Sequence, residues 1–449
     1  MRQPDVYSPI KSIQFGDLPS FGFPADWRID IAEAGGIGPL SAPQVSIAEA
    51  LTNPLRSPGL NELVTPGDQV CIAFTPPSSP CPDHILVPVL LRELGAAGIH
   101  DEDILLLCAS GPQGRTDPGQ LAARLGAEVM ERYRVVDHDV SEVIHLGQWN
   151  DIPLTINRRT LEADLFIATG IVAPHLYAGY TGGAATVAFG CVGDTTAEAL
   201  CGPRLLCDPR VRPGEVKDNP VQEVIQSVAH RAGLRFALSV ILDHTGQLVD
   251  VQAGDPLAVH QHMVFSASCL HNRPVPQTTY DVVIAGLDPP YDATLFQAVL
   301  GALFVGMIPQ PAVRPGGVII LPARLSEAVG QSHNAQNFYA ALANTHSRDV
   351  LMAHLMRKGC RPGEGRALQL ARLMEQHEII VVGSEFPELV EACHLQAVED
   401  MEAAVDLTRW LLGDKLDVLV IPHAMHTAPI LPVSDQQDPF GISLTHKSI

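Results

Sequence analysis

Residues 164–193 read DLFIATGIVAPHLYAGYTGGAATVAFGCVG. A short apolar run, 164–169, passes into a glycine-rich turn and then into a segment of small residues with helical length. A buried strand followed by a tight turn and a helix is typical of the parallel strands of α/β proteins. This stretch therefore predicts an α/β fold.

The same order recurs on both sides of this stretch. Runs rich in Val, Ile and Leu are each followed by polar residues and by a longer segment of helical period, which predicts parallel strands with crossover helices. The candidate strands are 70–74, 103–109, 164–169, 236–242, 281–285, 317–321, 378–382 and 417–421. We predict two doubly wound α/β domains with a ligand cleft between them.

A break in the pattern marks the predicted domain boundary. Residues 271–280, HNRPVPQTTY, combine two prolines with polar residues and interrupt the periodicity. We expect residues 1–272 to form the N-terminal domain and 273–449 a smaller C-terminal domain, with the last residues able to pack back on the N-terminal domain. A chain of 449 residues is long enough for two or three domains of about 150 residues.

Composition excludes several classes of partner. The chain has 29 Lys and Arg against 50 Asp and Glu, a net charge of −21, and only five of the basic residues are lysines. An acidic surface repels phosphate backbones and anionic lipid, so we expect neither a nucleic acid polymer nor a membrane surface as partner. A small anionic metabolite remains possible in a local pocket.

Cysteine usage and the apolar runs bear on localisation. The nine cysteines form no CxxC motif, and several lie in apolar runs, which is typical of reduced core residues. The first thirty residues lack a signal-peptide apolar region, and no stretch reaches the roughly 18 apolar residues of a membrane span. We therefore expect a cytoplasmic protein.

The glycine-rich turn is the densest candidate for a site. Amides around Gly179, Gly182 and Gly183 could converge on a phosphate or carboxylate, and His175 is the nearby side chain that normally titrates close to neutral pH. The alternative is a tight strand-to-helix turn whose glycines only permit close packing. The residues alone weigh these two interpretations about evenly.

The turn also resembles a known family, the nickel-pincer-nucleotide lactate racemases and related 2-hydroxyacid racemases and epimerases. The family pattern P-H-x-x-A-G-x-S-G-G-x-K is similar to Pro174 through Ala185, with Thr181 in place of Ser. Further collinear similarities are the N-P-V segment at 219–221, the D-x-x-x-Y-Q helix start at 292–297 and the V-x-P-G-G-x-I-I-L strand at 313–321. The resemblance implies a shared fold more strongly than shared chemistry.

The resemblance also implies a cofactor and roles for particular residues. In the family, a nickel-bearing pyridinium nucleotide is tethered to a lysine and takes a hydride from the substrate, while paired histidines exchange the hydroxyl proton. Carried over, His175 is an acid/base group, Gln297 is a substrate contact, and Gly179, Thr181, Gly182 and Gly183 contact the cofactor. Cys201 falls near a nickel-associated histidine and is a candidate metal ligand.

Several charged residues of the family pattern are absent. The tethering lysine falls on Ala185, the second histidine near Gln113, the arginine of the D-x-T-R-P-x-P loop on Ser79, and the lysine of Y-Q-x-x-K on Leu300. No lysine occurs between Lys11 and Lys217, so no shift of alignment recovers the tether. Charge-assisted bonds worth about 1.5–3 kcal/mol each are therefore lost.

These departures shape the functional hypothesis. We expect isomerase chemistry, of racemase or epimerase type, on a small 2-hydroxy acid or sugar acid, with the lactate reaction itself absent. The alternative is a non-catalytic protein that binds a small anion or nucleotide and has lost the cofactor. The nickel-pincer nucleotide is the only cofactor that the resemblance implies.

Three other groups of polar residues are weaker candidates. His423 and His426 follow the last candidate strand with H-x-x-H spacing, which suggests a metal pair, although coincidence is the favoured interpretation. A loop with several arginines and the pair Arg361 and Arg366 could each reach an anion. A solvated position is favoured for both groups. The arginines of that loop are Arg204, Arg210 and Arg212.

Overall fold

The structure is a computed structural model of the 449-residue chain. It describes residues 12–16, 18–36, 38–113 and 116–432, with the side chain of residue 113 left out. Residues 433–449, for which we expected packing on the N-terminal domain, lie outside the described part.

Two six-stranded sheets dominate the described part of the chain. The first has the order β11-β10-β7-β2-β3-β4, and all its neighbours are parallel except β10 and β11. Its strands are β2 (Val70–Phe74), β3 (Ile104–Cys108), β4 (Arg134–Asp137), β7 (Leu165–Ile171), β10 (Leu234–Leu242) and β11 (Leu248–Gly254). The central strands are buried on both faces, which explains their continuous apolar sequences.

The second sheet is parallel throughout and has the order β1-β17-β13-β14-β15-β16. Its strands are β1 (Arg28–Ile31), β13 (Tyr280–Ala285), β14 (Val313–Pro322), β15 (Glu378–Val382), β16 (Gln396–Val398) and β17 (Asp417–Ile421). Three small two-stranded sheets pair β5 (Val143–Trp149) with β6 (Ile152–Asn157), β8 (Pro174–His175) with β9 (Gly179–Tyr180), and β12 (Asn272–Pro274) with β18 (Ala428–Ile430).

Helices cover the sheets. Those of the first part are α1 (Pro43–Thr52), α2 (Leu60–Leu63), α3 (Asp83–Ala96), α4 (Pro118–Leu125), α5 (Ala127–Arg132), α6 (Arg158–Leu161), α7 (Gly183–Gly190), α8 (Asp194–Leu200), α9 (Pro203–Leu206), α10 (Pro220–Arg231) and α11 (Pro256–His271). Those of the second part are α12 (Leu295–Gly306), α13 (His333–Ala343), α14 (Arg348–Lys358), α15 (Glu364–Leu373), α16 (Pro387–Ala392) and α17 (Met401–Leu412). No described helix is long and apolar enough to cross a membrane.

The predicted α/β fold is confirmed, and each candidate strand corresponds to a strand of one of the two large sheets. The boundary at 272/273 stays a prediction, and one element crosses it. Strand β1 lies at the edge of the second sheet, paired with β17, although it belongs to the first 272 residues. The first described strand therefore belongs to the second sheet. The chain then forms the first sheet and afterwards the remaining strands of the second.

The two sheets share an apolar core. One cluster of buried side chains runs from Val187 and Val228, on helices of the first sheet, to Leu303 and Leu368, on helices of the second. The loops after β2, β7, β13 and β17 leave the carboxyl ends of parallel strands, where α/β proteins place their ligands. The candidate site lies among these loops.

Candidate functional site

The small hairpin β8–β9 carries His175. It follows β7 directly, and the Thr181 hydroxyl fastens it by donating to the Ile171 carbonyl oxygen at 2.7 Å. Asn219, the N-cap of α10, donates from Nδ2 to the Tyr177 carbonyl oxygen at 2.8 Å. The predicted cofactor contact Thr181 thus uses its hydroxyl within the hairpin, and His175 is held on a rigid support.

Two backbone N–H groups determine the proton position on His175. Tyr177 and Ala178 donate to His175 Nδ1 at 3.2 and 3.1 Å, so the neutral ring carries its proton on Nε2. Burial, and next the charge of Arg366, lower the pKa of His175 to about 4. Near neutral pH the ring is therefore an uncharged hydrogen-bond donor through Nε2. Its role in proton exchange stays a prediction. To accept a proton, Nδ1 would have to lose its hydrogen bonds from the Tyr177 and Ala178 N–H groups.

The three glycines of the turn have close neighbours on the protein side. Gly179 has φ +74°, and a Cβ there would lie 2.0 Å from the Glu215 carbonyl oxygen. A Cβ at Gly182 would lie 3.0 Å from the His260 ring, and one at Gly183 would lie 3.2 Å from Ala237 Cβ. These contacts account for the glycines by close packing, the alternative to an anion cradle.

Residues of the second domain complete the surroundings of His175. Gln297 lies in the first turn of α12, and its Oε1 accepts from Arg366 Nη1 at 3.4 Å. Arg366, on α15, also donates from Nη1 to the Phe296 carbonyl oxygen, and its guanidinium carbon lies 3.6 Å from the centre of the Phe296 ring. The sequence analysis favours a solvated Arg366, and this interpretation is wrong because the guanidinium stacks on Phe296 and donates to oxygens of Phe296 and Gln297.

Arg366 interacts electrostatically with side chains from both domains. Burial lowers the Arg366 pKa to about 10, and electrostatic interaction with Tyr177, Tyr291 and Cys201 acts in the opposite direction by raising it. The helix start approaches Cys201 closely, since a Cβ at Gly365 would lie 2.7 Å from the Cys201 carbonyl oxygen. The structure thus brings His175, Gln297 and Cys201 together around Arg366. The sequence alone favours a solvated position for this arginine.

The residues around α7 do not fit a lysine-tethered nickel cofactor. Ala185 is 4% exposed and packs in the core, and the described lysines, Lys217, Lys358 and Lys415, are all exposed. Burial raises the pKa of the Cys201 thiol to about 11, so without a metal this thiol is protonated near neutral pH. The described residues contain no group of three or more His, Cys, Asp or Glu arranged to hold a metal ion.

The loop at 75–82 is held by a buried pair that the sequence did not reveal. Asp83 is fully buried and accepts from the Thr75 N–H at 3.1 Å and from the Thr169 hydroxyl at 2.6 Å. Arg124 donates to carbonyl oxygens of Pro76 and Cys81 at 2.6 and 2.5 Å. The loop is therefore fixed by charged side chains outside it, and Ser79 itself carries no charge.

A second polar cluster follows β13 and β17. His423 Nδ1 lies 2.8 Å from Asp288 Oδ1, and the His244 ring centre lies 4.3 Å from that of His423. A carboxylate at Nδ1 holds the ring proton there and leaves Nε2 as an acceptor. His423 therefore has the opposite tautomer from His175. The predicted metal pair with His426 gains no third ligand among the described residues.

The remaining arginines of the sequence analysis lie at the surface. Arg204 donates to the Asn150 carbonyl oxygen at 2.5 Å, Arg210 pairs with Asp208 at 2.7 Å, and Arg361 pairs with Glu364 at 2.6 Å. These contacts match the solvated interpretation. Gln113 ends the short 3-10 turn Gly111–Gln113, and its side chain lies outside the described part.

Comparison with known proteins gives a consistent set of relatives. A family profile for the lactate racemase N-terminal domain matches residues 18–200, and one for the lactate racemase C-terminal domain matches residues 275–427. The lactate racemase of Lactiplantibacillus plantarum is 26% identical over 391 residues, covering 85% of this chain and 90% of that protein. The lactate racemase of Thermoanaerobacterium thermosaccharolyticum is 25% identical over 388 residues, covering 84% and 88%.

Solved structures share the fold. The lactate racemase apoprotein from T. thermosaccharolyticum superposes with a TM-score of 0.83 at 23% identity, covering 93% of this chain and 99% of that one. A crystal structure of a Thermotoga maritima protein gives a TM-score of 0.65 at 16% identity, covering 89% and 100%. The similarity thus extends over both large sheets.

Proposed function

Because the chain belongs to the lactate racemase family, we propose that it binds a small 2-hydroxy acid between its domains without the family's lysine-tethered nickel cofactor. One observation carries the proposal: His175 of the first domain is near enough for the charge of Arg366 to lower its pKa, and Gln297 of the second domain accepts a hydrogen bond from Arg366. These three side chains would supply hydrogen-bonding groups that suit a small, oxygen-rich ligand. Lactate racemisation is then absent, because nothing tethers a hydride carrier at Ala185.

Two further features belong to the same proposal. The ligand is a free metabolite, since the net charge of −21 disfavours nucleic acid polymers and anionic membranes. The protein is cytoplasmic, an expectation supported by its nine free cysteines.

A second candidate function is racemase- or epimerase-type chemistry on a 2-hydroxy acid or sugar acid by proton transfer. It is favoured by the His423–Asp288 pair, whose geometry leaves Nε2 of His423 free to accept a proton. A proton taken from the α-carbon by His423 and replaced from solvent would exchange that hydrogen. This reaction is therefore visible as deuterium incorporation in D2O.

The experiment combines binding with product analysis. We expect calorimetry on the full chain to show lactate or glycerate binding at least about tenfold more tightly than propionate, which lacks the hydroxyl. Equal affinity for lactate and propionate would overturn the proposed hydroxy-acid function. Racemisation of one lactate enantiomer by protein expressed with the nickel cofactor would overturn the loss of the lactate reaction. Deuterium incorporation that disappears in His423→Gln would establish the second candidate instead.

A further inference from the structure

Arg366 is surrounded by aromatic and neutral groups. Its guanidinium stacks on Phe296 at 3.6 Å, and the ionisable groups that influence it are Tyr177, Tyr291 and Cys201. None of these is an anion near neutral pH, because burial raises the pKa of each of the three. The guanidinium keeps its positive charge, since its own pKa remains about 10.

No carboxylate of the described chain pairs with this charge. Glu364, two residues before it on α15, is occupied by Arg361 at 2.6 Å. An arginine withdrawn from water without a counterion is costly, so such residues are normally paired or hydrogen-bonded throughout. Arg124, Arg159, Arg314 and Arg361 are each paired with a carboxylate, whereas Arg366 forms no ion pair with a described residue.

One edge of the Arg366 guanidinium group also makes no hydrogen bond within the described residues. Nη1 donates to the Phe296 carbonyl oxygen and to Gln297 Oε1, whereas Nε is buried and has no hydrogen-bond partner among the described residues. Nη2 likewise donates no hydrogen bond within the described chain. Nε and Nη2 form the edge of a guanidinium that binds both oxygens of a carboxylate in parallel. Phe296 fixes the plane of that edge.

We propose that Arg366 holds the carboxylate of the bound acid through Nε and Nη2. This inference rests on the proposed function and names the residue that binds the anionic group. It accounts for the uncharged residues at Ser79 and Leu300, because the positive charge comes from α15 of the second domain instead. His175 lies beside the charge as a neutral donor, so no like-charge repulsion opposes the arrangement.

The test separates the carboxylate from the hydroxyl with three small probes. Propionate has the carboxylate alone, propionamide replaces it with a neutral amide, and lactate adds the hydroxyl. We expect propionate to raise the melting temperature of the full chain and to bind by calorimetry, and propionamide to do neither. In Arg366→Gln we expect the advantage of propionate over propionamide to fall by about 10- to 100-fold, as for loss of charge-assisted hydrogen bonds.

Two further variants act as controls. Arg366→Lys keeps the charge without the parallel pair of donors, so we expect intermediate affinity for propionate. Arg357→Gln removes an exposed charge from the end of α14, and we expect wild-type affinity. Circular dichroism of each variant checks that it is folded, and Arg366→Lys serves alone if Arg366→Gln fails to fold.

Each result has one meaning. Unchanged preference for propionate over propionamide in folded Arg366→Gln, or in Arg366→Lys, would overturn the assignment even when lactate binds. No preference for propionate in the wild type would overturn it as well. Conversely, a preference that depends on Arg366 supports the assignment even when lactate binds no better than propionate, a result that removes only the proposed hydroxy-acid function.

Discussion

The two domains differ in charge where they meet around Arg366, and we call the two sides of this meeting point walls. The first-domain wall, which we define as the hairpin β8–β9 with His175, together with Cys201, is uncharged near neutral pH, because burial holds His175 deprotonated and Cys201 protonated. The second-domain wall, which we define as Tyr291, Gln297 and Arg366, carries the positive charge. The charges expected from the family pattern on the first wall are absent, and one arginine on the opposite wall is present without a counterion.

This difference separates two tasks. The first wall is closely packed, with glycines pressed against backbone atoms and polar groups satisfied within the hairpin. The second wall offers an unsatisfied charge. We infer that the first wall positions the ligand and that the second wall binds its charged group. The following substitutions test this division of roles.

The largest effect is expected at Gly179. A Cβ there would overlap the Glu215 carbonyl oxygen, and φ of +74° already disfavours other residues. We expect Gly179→Ala to reduce the free energy of unfolding by about 4 kcal/mol, measured by urea denaturation. Gly214→Ala is the matched control, because φ there is +78° with nothing within 4 Å of the added Cβ, and it should cost about 1 kcal/mol. Equal losses would contradict the close packing of the first wall.

Restoring the amine at position 185 should also be damaging. Ala185 is buried in the apolar core at the start of α7, where a lysine ammonium has no described acidic partner. We expect Ala185→Lys to cost about 3 kcal/mol of unfolding free energy. Thr195→Lys, at an exposed position on α8, should cost little. A stable Ala185→Lys protein that gains lactate racemase activity with the nickel cofactor would show that the first wall kept its cofactor site.

The neutrality of His175 predicts a pH dependence. Its pKa is lowered from 6.5 to about 4 in the folded protein, so between these values only the unfolded chain takes up the proton. The stability of the wild type therefore falls as pH is lowered through this window, and His175→Gln lacks this contribution. We expect the stability difference between wild type and His175→Gln to shrink by about 2 kcal/mol from pH 7 to pH 5. A constant difference would mean that His175 titrates normally.

The smallest loss of unfolding free energy is expected when the charge of Arg366 is removed. Arg366 has no ion-pair partner to lose, so Arg366→Gln should not lower the free energy of unfolding of the ligand-free protein by more than about 1 kcal/mol. Arg361→Gln, five residues earlier, should cost about 2 kcal/mol, because it leaves the buried carboxylate of Glu364 unpaired. The reverse order in urea denaturation would show that Arg366 serves the fold.

The fold was predictable from sequence where strands are buried on both faces. β2 is a continuous apolar run, and β7 and β13 are largely apolar, so the pattern alone predicts these strands. β1 and β5 were missed: β1 is a short edge strand of alternating polar residues, and most of β5 is exposed. β1 depends on β17, a partner distant in sequence, whereas β5 pairs with the adjacent β6 but lacks the buried apolar pattern that gives a strong local signal.

The site was predictable only in part. The hairpin with His175 follows from its glycines and its resemblance, because both are local in sequence. Arg366 acquires its role by packing against residues about 70 to 190 positions earlier, and nothing in RPGEGRALQ distinguishes it from Arg361. Asp288 was missed for the same reason, since 135 residues separate it from His423. Contacts across the cleft are not encoded in any short motif.

The most direct test of this account is a crystal structure of the full chain with lactate bound. We predict that both carboxylate oxygens accept hydrogen bonds from Nε and Nη2 of Arg366, with His175 Nε2 facing the ligand. A carboxylate held instead by the amides at Gly182 and Gly183, with the Nε and Nη2 edge of Arg366 unused, would contradict the assignment of binding to the second-domain wall.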